Sequence, residues 1–210
     1  LFLIYAKLQG VFMTLHRQFI RMARAQWKKV AIYDQATGQD FTYGKMLIAT
    51  IILARRFRQN DNANLGIMLP TSGGCMLSVI AAVMAQKAPV MINYSTGAAD
   101  NCRYAQKKCN FRTIITSRKL VDKISCEHVP GMIYIEDMLK SVTKLEKLHA
   151  FITAKQPMSL LLTDFGRGSV EDTVAILFTS GSENDPKAVM LCHRNVQHNL
   201  TAVPMITDLN

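Results

Sequence analysis

The sequence predicts an α/β fold, a parallel sheet with helices on both of its faces. Three observations point there. Short, continuous apolar runs such as Leu65-Gly66-Ile67-Met68-Leu69 and Thr113-Ile114-Ile115-Thr116 lack the alternation of a half-exposed strand. Each run leads through a turn of small or capping residues into a segment with helical apolar spacing. The chain of 210 residues is 49% hydrophobic and 19% charged, enough for a sizeable core and unlike a disordered or collagen-like composition.

Residues 11–29 open the pattern. Phe12, Leu15, Phe19 and Met22 recur at helical spacing, and Arg17, Arg21, Arg24, Lys28 and Lys29 form a basic remainder, so an amphipathic helix with a solvated cationic side is expected. Val30-Ala31-Ile32-Tyr33 and Phe41-Thr42-Tyr43, separated by a turn-forming stretch with Gly38, make a β-hairpin. Thr42 is placed to cap a helix over 43–59. The strand 65–69 ends at Pro70, and Thr71-Ser72-Gly73-Gly74 leads into a helix over 75–86. The same unit recurs as strand 89–92 with helix 98–108, and as strand 113–116 with Ser117 capping helix 118–124. A strand over 132–135 precedes one long helix over 136–154. Residues 156–171, with Pro157, Gly166, Gly168 and Ser169, read as an exposed connection. Asp164-Phe165-Gly166 within it spells the kinase metal triplet, but no glycine-rich nucleotide loop or catalytic-loop motif accompanies it. The whole of 1–210 reads as one unit.

Charge and cysteine content bound the function classes. Lys and Arg total 25 against 15 Asp and Glu, and the net charge of +10 attracts an anionic partner. Nucleic acid is disfavoured, because the basic residues are not interleaved with stacking aromatics. The five cysteines are odd in number and form no C-x-x-C pair, so neither a disulfide framework nor a zinc site is expected, and a reduced, cytoplasmic setting follows. The longest apolar run, residues 75–85, has eleven residues where a spanning helix needs about 20. The opening Leu1-Phe2-Leu3-Ile4-Tyr5 has neither Met nor a basic region before it and reads as a cut end.

Chemistry concentrates in one segment. The apolar strand 173–178 delivers Thr179-Ser180-Gly181-Ser182-Glu183-Asn184-Asp185-Pro186-Lys187, after which Ala188-Val189-Met190-Leu191 carries the chain away and a helix begins near Arg194. Three hydroxyls, a glycine permitting close approach, backbone N–H groups and one lysine suit an oligophosphate. The same composition also suits an ordinary hairpin loop. It is not a Walker loop, whose lysine opens a helix rather than a strand. His193 beside the loop could donate to an oxyanion, but its strand-to-helix junction favours capping or packing. His16, His128, His149 and His198 have no carboxylate or cysteine at metal spacing, so no metal site is expected.

The order of these residues, Thr-Ser-Gly-Ser-x-x-x-Pro-Lys followed by an apolar strand and Cys192-His193-Arg194-Asn195, resembles the phosphate-binding signature of the AMP-forming acyl-adenylate ligases. Phe41-Thr42-Tyr43, the run 65–70, Ala85-Gln86-Lys87-Ala88-Pro89-Val90-Met91-Ile92-Asn93-Tyr94 and Thr116-Ser117-Arg118 look like the opening part of that family. Their wording is closest to its fatty acyl-CoA and acyl-carrier-protein synthetase branch. The resemblance implies ATP and Mg²⁺ as cofactors, a fatty or other carboxylic acid as substrate, and CoA or acyl carrier protein as acceptor. It implies phosphate binding by Thr179, Ser180, Gly181, Ser182, Glu183, Asn184 and Lys187. The family carries Gly where this chain has Asn184 and Ala188; Asn tolerates a left-handed backbone, and Ala at a positive-φ site would burden the loop. The family's remaining catalytic groups fall beyond Asn210, so the chain is expected to be the N-terminal portion of such an enzyme. Acidic carrier proteins and anionic membranes are partners that the charge would suit, through residues such as Arg103, Lys107, Lys108, Arg112, Arg118, Lys119 and Lys123. The alternative is an inactive remnant, or a basic binding module for anionic lipid or an acidic protein.

Overall fold

The structure is a computed structural model and describes residues 13–34, 38–179 and 186–206. The N-terminal helix α1 (Leu15–Ala25) is followed by a hairpin of β1 (Val30–Asp34) and β2 (Gln39–Thr42) and by α2 (Tyr43–Arg58). Three βα units come next: β3 (Asn64–Met68) with α3 (Gly73–Met84), β4 (Ala88–Met91) with α4 (Ala98–Cys109), and β5 (Ile114–Thr116) with α5 (Arg118–Lys123). Then follow β6 (Met132–Tyr134), α6 (Ile135–Lys140), α7 (Lys144–Lys155), α8 (Met158–Phe165), β7 (Thr173–Phe178), β8 (Ala188–Cys192) and α9 (His193–Ile206).

The main sheet has the order β6-β5-β3-β4-β7-β8. Every neighbouring pair is parallel except β7 and β8, which run antiparallel with Phe178 opposite Ala188 and Leu177 opposite Val189. The expected all-parallel sheet therefore ends on one antiparallel strand: a nine-residue link is too short for the crossover that a parallel return requires.

Helices cover both faces because successive strand residues point to opposite sides. Leu65, Ile67 and Ile115 pack with α1, α2, α3, α7 and α8 around Ile20, Leu47, Ile51, Ala81 and Phe165. Met68, Val90, Ile114 and Ile176 pack on the other side with Cys102, Ala105, Phe111, Leu120 and Val121 of the α4–α5 layer. Gly66 lets these layers close, since a Cβ there would stand 2.6 Å from the Phe111 ring.

The hydroxyl caps read from the sequence, Thr42 and Ser117, both form, and Ser72 adds a third. Thr42 Oγ1 accepts from the Lys45 N–H at 3.3 Å, Ser72 Oγ from Cys75 at 3.3 Å, and Ser117 Oγ from Leu120 at 3.4 Å. Three expectations need correction. The helix over 136–154 is two helices, broken at 141–143, where Thr143 and Glu146 form a capping box. The connection 156–171 contains α8, which buries Leu161 and Phe165 completely. Phe165 of the kinase-like triplet is thus a core residue, and Asp164 pairs with Arg58 at 2.8 Å. In α1 the buried residues are His16, Ile20 and Ala23, so the inward stripe is one position off the apolar set; Phe19 packs at its margin, and Phe12 lies outside the described residues.

Candidate nucleotide-binding loop

Parallel β3, β4, β5 and β7 end at one edge of the sheet, the edge at which ligands bind in open α/β folds. The loop 179–187 leaves β7 at that edge. β7 is anchored by Val174 and Ile176, both buried, and Phe178 packs against the α4 side of the core. The Tyr104 ring meets Phe178 edge-on with centroids 5.8 Å apart, and its hydroxyl donates to the Pro186 carbonyl at 2.7 Å. One side chain of α4 thus braces both stems of the loop.

A reciprocal pair closes the neck. The Thr179 N–H donates to the Lys187 carbonyl at 3.0 Å, and the Lys187 N–H donates to Thr179 Oγ1 at 3.2 Å. The Thr179 hydroxyl accepts in this arrangement and retains its own proton as a donor. Lys187 is exposed. Ala188 lies within β8 and is not among the residues with positive φ, so the methyl that replaces the family's glycine fits an ordinary strand backbone. Of the seven expected phosphate-binding residues, Thr179 and Lys187 flank the loop from opposite stems, whereas Ser180, Gly181, Ser182, Glu183 and Asn184 lie outside the described residues.

His193 stands elsewhere. It is buried at the start of α9, its Nδ1 accepts from the Leu15 N–H at 3.1 Å, and its ring lies 5.3 Å from that of His16. This is the packing role that its junction suggested. The two histidines border a cavity of about 280 Å³ at the amino ends of β3, β4 and β7, together with Lys87, Arg167 and Asp172. No local pattern marks this cavity, because its residues come from six separated segments.

The five cysteines are free. Burial pushes the Cys102 thiol up to about 12, which makes it a poor nucleophile. Among the described residues no group of three or more His, Cys, Asp or Glu is arranged to hold a metal ion. The side chains of the described residues build no Mg²⁺ site of their own. Nor, among the described residues, is any helix long and apolar enough to cross a membrane.

Residues 19–209 match the AMP-binding enzyme family, and the chain belongs to it. It is 27% identical over 175 residues to 4-coumarate–CoA ligase 1 of Arabidopsis thaliana, a match that covers 80% of this chain and 31% of the ligase. The solved structure of the nonribosomal peptide synthetase FmoA3 in its AMPPNP-bound form superimposes with a TM-score of 0.65 at 15% identity, over 96% of this chain and 20% of FmoA3. VinN in complex with L-aspartate gives a TM-score of 0.71 at 14% identity, over 95% of this chain and 54% of VinN. The chain therefore spans about a third of the curated relative's length. The chain shares its α/β architecture with these solved structures.

Proposed function

We propose that the loop 179–187 holds the β- and γ-phosphates of ATP, and that the protein activates a carboxylic acid, a fatty acid by our reading, for transfer to the thiol of CoA or acyl carrier protein. One observation carries this reading: a loop of hydroxyls with a single lysine, braced by Tyr104 and closed by Thr179 and Lys187, at the ligand-binding edge of an AMP-binding fold. A carboxylate oxygen attacks the α-phosphorus, the bond to the bridging oxygen breaks, and pyrophosphate leaves. The thiol sulfur then attacks the acyl carbonyl and AMP departs. The loop contributes to the first step by fixing the leaving group in line and stabilising the charge that gathers on it. Mg²⁺ would accompany the nucleotide as Mg-ATP and screen its phosphates.

Support for the acidic carrier comes from the α4–α5 side. Arg103 is paired with Asp100 and Glu127, and Arg118 with Asp137, while Lys107, Lys108, Arg112, Lys119 and Lys123 are exposed. An acidic protein would meet the lysines first.

The test is fatty-acid-dependent release of pyrophosphate from ATP, measured on this chain and on one continued past Asn210 to the family's full length. Release by the longer chain supports the reading. Release by neither, with both folded, favours the alternative of an inactive remnant or a basic binding module.

A further inference from the structure

We propose that the outward face of α7, with Trp27 beside it, docks on an anionic lipid bilayer. The inward face of this helix is Ala150, Thr153 and Ala154, all buried. On a solvated helix the opposite face is polar. Here it is apolar: Leu145, Leu148 and Ile152 are exposed by 60%, 53% and 51%, and Phe151 by 45%. Positions 145, 148 and 152 share one side at helical spacing, which makes a stripe rather than scattered single residues.

Charge selects the occupant. Lys144, Lys147 and Lys155 border the stripe from α7, and exposed Lys28 and Lys29 lie beyond the end of α1. The only acidic residue of α7, Glu146, is turned away and binds Arg56 at 2.9 Å. The two elements are held as one surface, because Arg24 donates to the carbonyls of Ala154 and Gln156 at 2.8 and 2.6 Å. Trp27 meets Phe151 edge-on at 6.2 Å, with Lys155 Nζ 3.5 Å from the indole centre. An apolar stripe rimmed by lysines with a tryptophan at its edge is suited to the boundary between headgroups and acyl chains: apolar groups enter, and lysine stems carry their charge up to anionic headgroups. A second copy of the chain, seated on the same face, would bring like charges together without neutralising them.

The proposal stands apart from the ATP reading and is tested without catalysis. Trp27 is the chain's one tryptophan, so its emission reports on this surface alone. The chain is titrated with equimolar phosphatidylglycerol–phosphatidylcholine vesicles, followed by sedimentation and by Trp27 emission. Binding with a blue shift that weakens as salt rises is expected, with little binding to pure phosphatidylcholine. Leu148→Glu combined with Ile152→Glu, exposed positions that leave the core intact, should abolish it. The triple variant Lys144→Gln, Lys147→Gln, Lys155→Gln should lower the affinity about a hundredfold, at roughly fivefold per lysine. Equal binding to neutral vesicles, unchanged binding by either variant, or a concentration-dependent dimer in place of vesicle binding would each overturn the proposal.

Discussion

His16 and His193 show how a buried pair of bases sets the acid limit of the fold. His16 Nε2 donates to the Arg167 carbonyl at 2.8 Å, and its Nδ1 is buried without a partner among the described residues. Burial lowers its pKa from 6.5 to about 4, opposed by the Arg167 hydrogen bond, with the neighbouring His193 adding to the lowering. Burial also lowers His193. The unfolded chain therefore binds more protons than the folded one between those two pKa values of His16, so stability is full above pH 6.5 and falls as pH drops toward 4. That window corresponds to about 3 kcal/mol for His16. His16→Gln should flatten the slope of Tm against pH across it, as thermal melts would record; a slope equal to the wild type would assign the sensitivity to other groups. The capping residues were legible beforehand because a cap depends on neighbours three residues away. The burial of His16 was not, because its partners lie across the chain, at a separation of 151 residues for Arg167.

Elements were legible where local pattern and tertiary role agree. The βα units had apolar runs, small-residue turns and caps all pointing the same way. The break between α6 and α7 was written as Thr143-x-x-Glu146, but the apolar spacing continues across it and suggested one helix. Glu146 is held at about 2 by the Thr143 backbone N–H and then by Arg56, which ties the start of α7 to α2. Pro157 and Gly166 flank α8 and made it look like an exposed loop, although its core side is fully apolar. Phe165 closes that helix against the core with the Arg58 guanidinium 4.5 Å over its ring. Phe165→Ala should cost about 3–5 kcal/mol in urea unfolding. A loss under about 1 kcal/mol would mean that α8 is a surface strap after all.

At the scale of the whole molecule, the order of strands places the stems of the loop 179–187 at the edge shared by the carboxyl ends of β3, β4, β5 and β7, where open α/β folds bind their ligands. That placement follows from topology, which a pattern of apolar runs implies; the proposal that the loop takes the phosphates of ATP rests on its hydroxyls and Lys187. The cavity bordered by His16, Lys87, Arg167 and Asp172 lies at the other end of the sheet. Titrating the isotope-labelled chain with ATP while following backbone amide shifts separates the two ends. Shifts are expected at Thr179 and Lys187, with an affinity lowered roughly tenfold or more in Lys187→Ala from the loss of a charge-assisted contact. Shifts confined to the His16–Lys87–Arg167 end, or equal affinity in Lys187→Ala, would contradict the loop's proposed role.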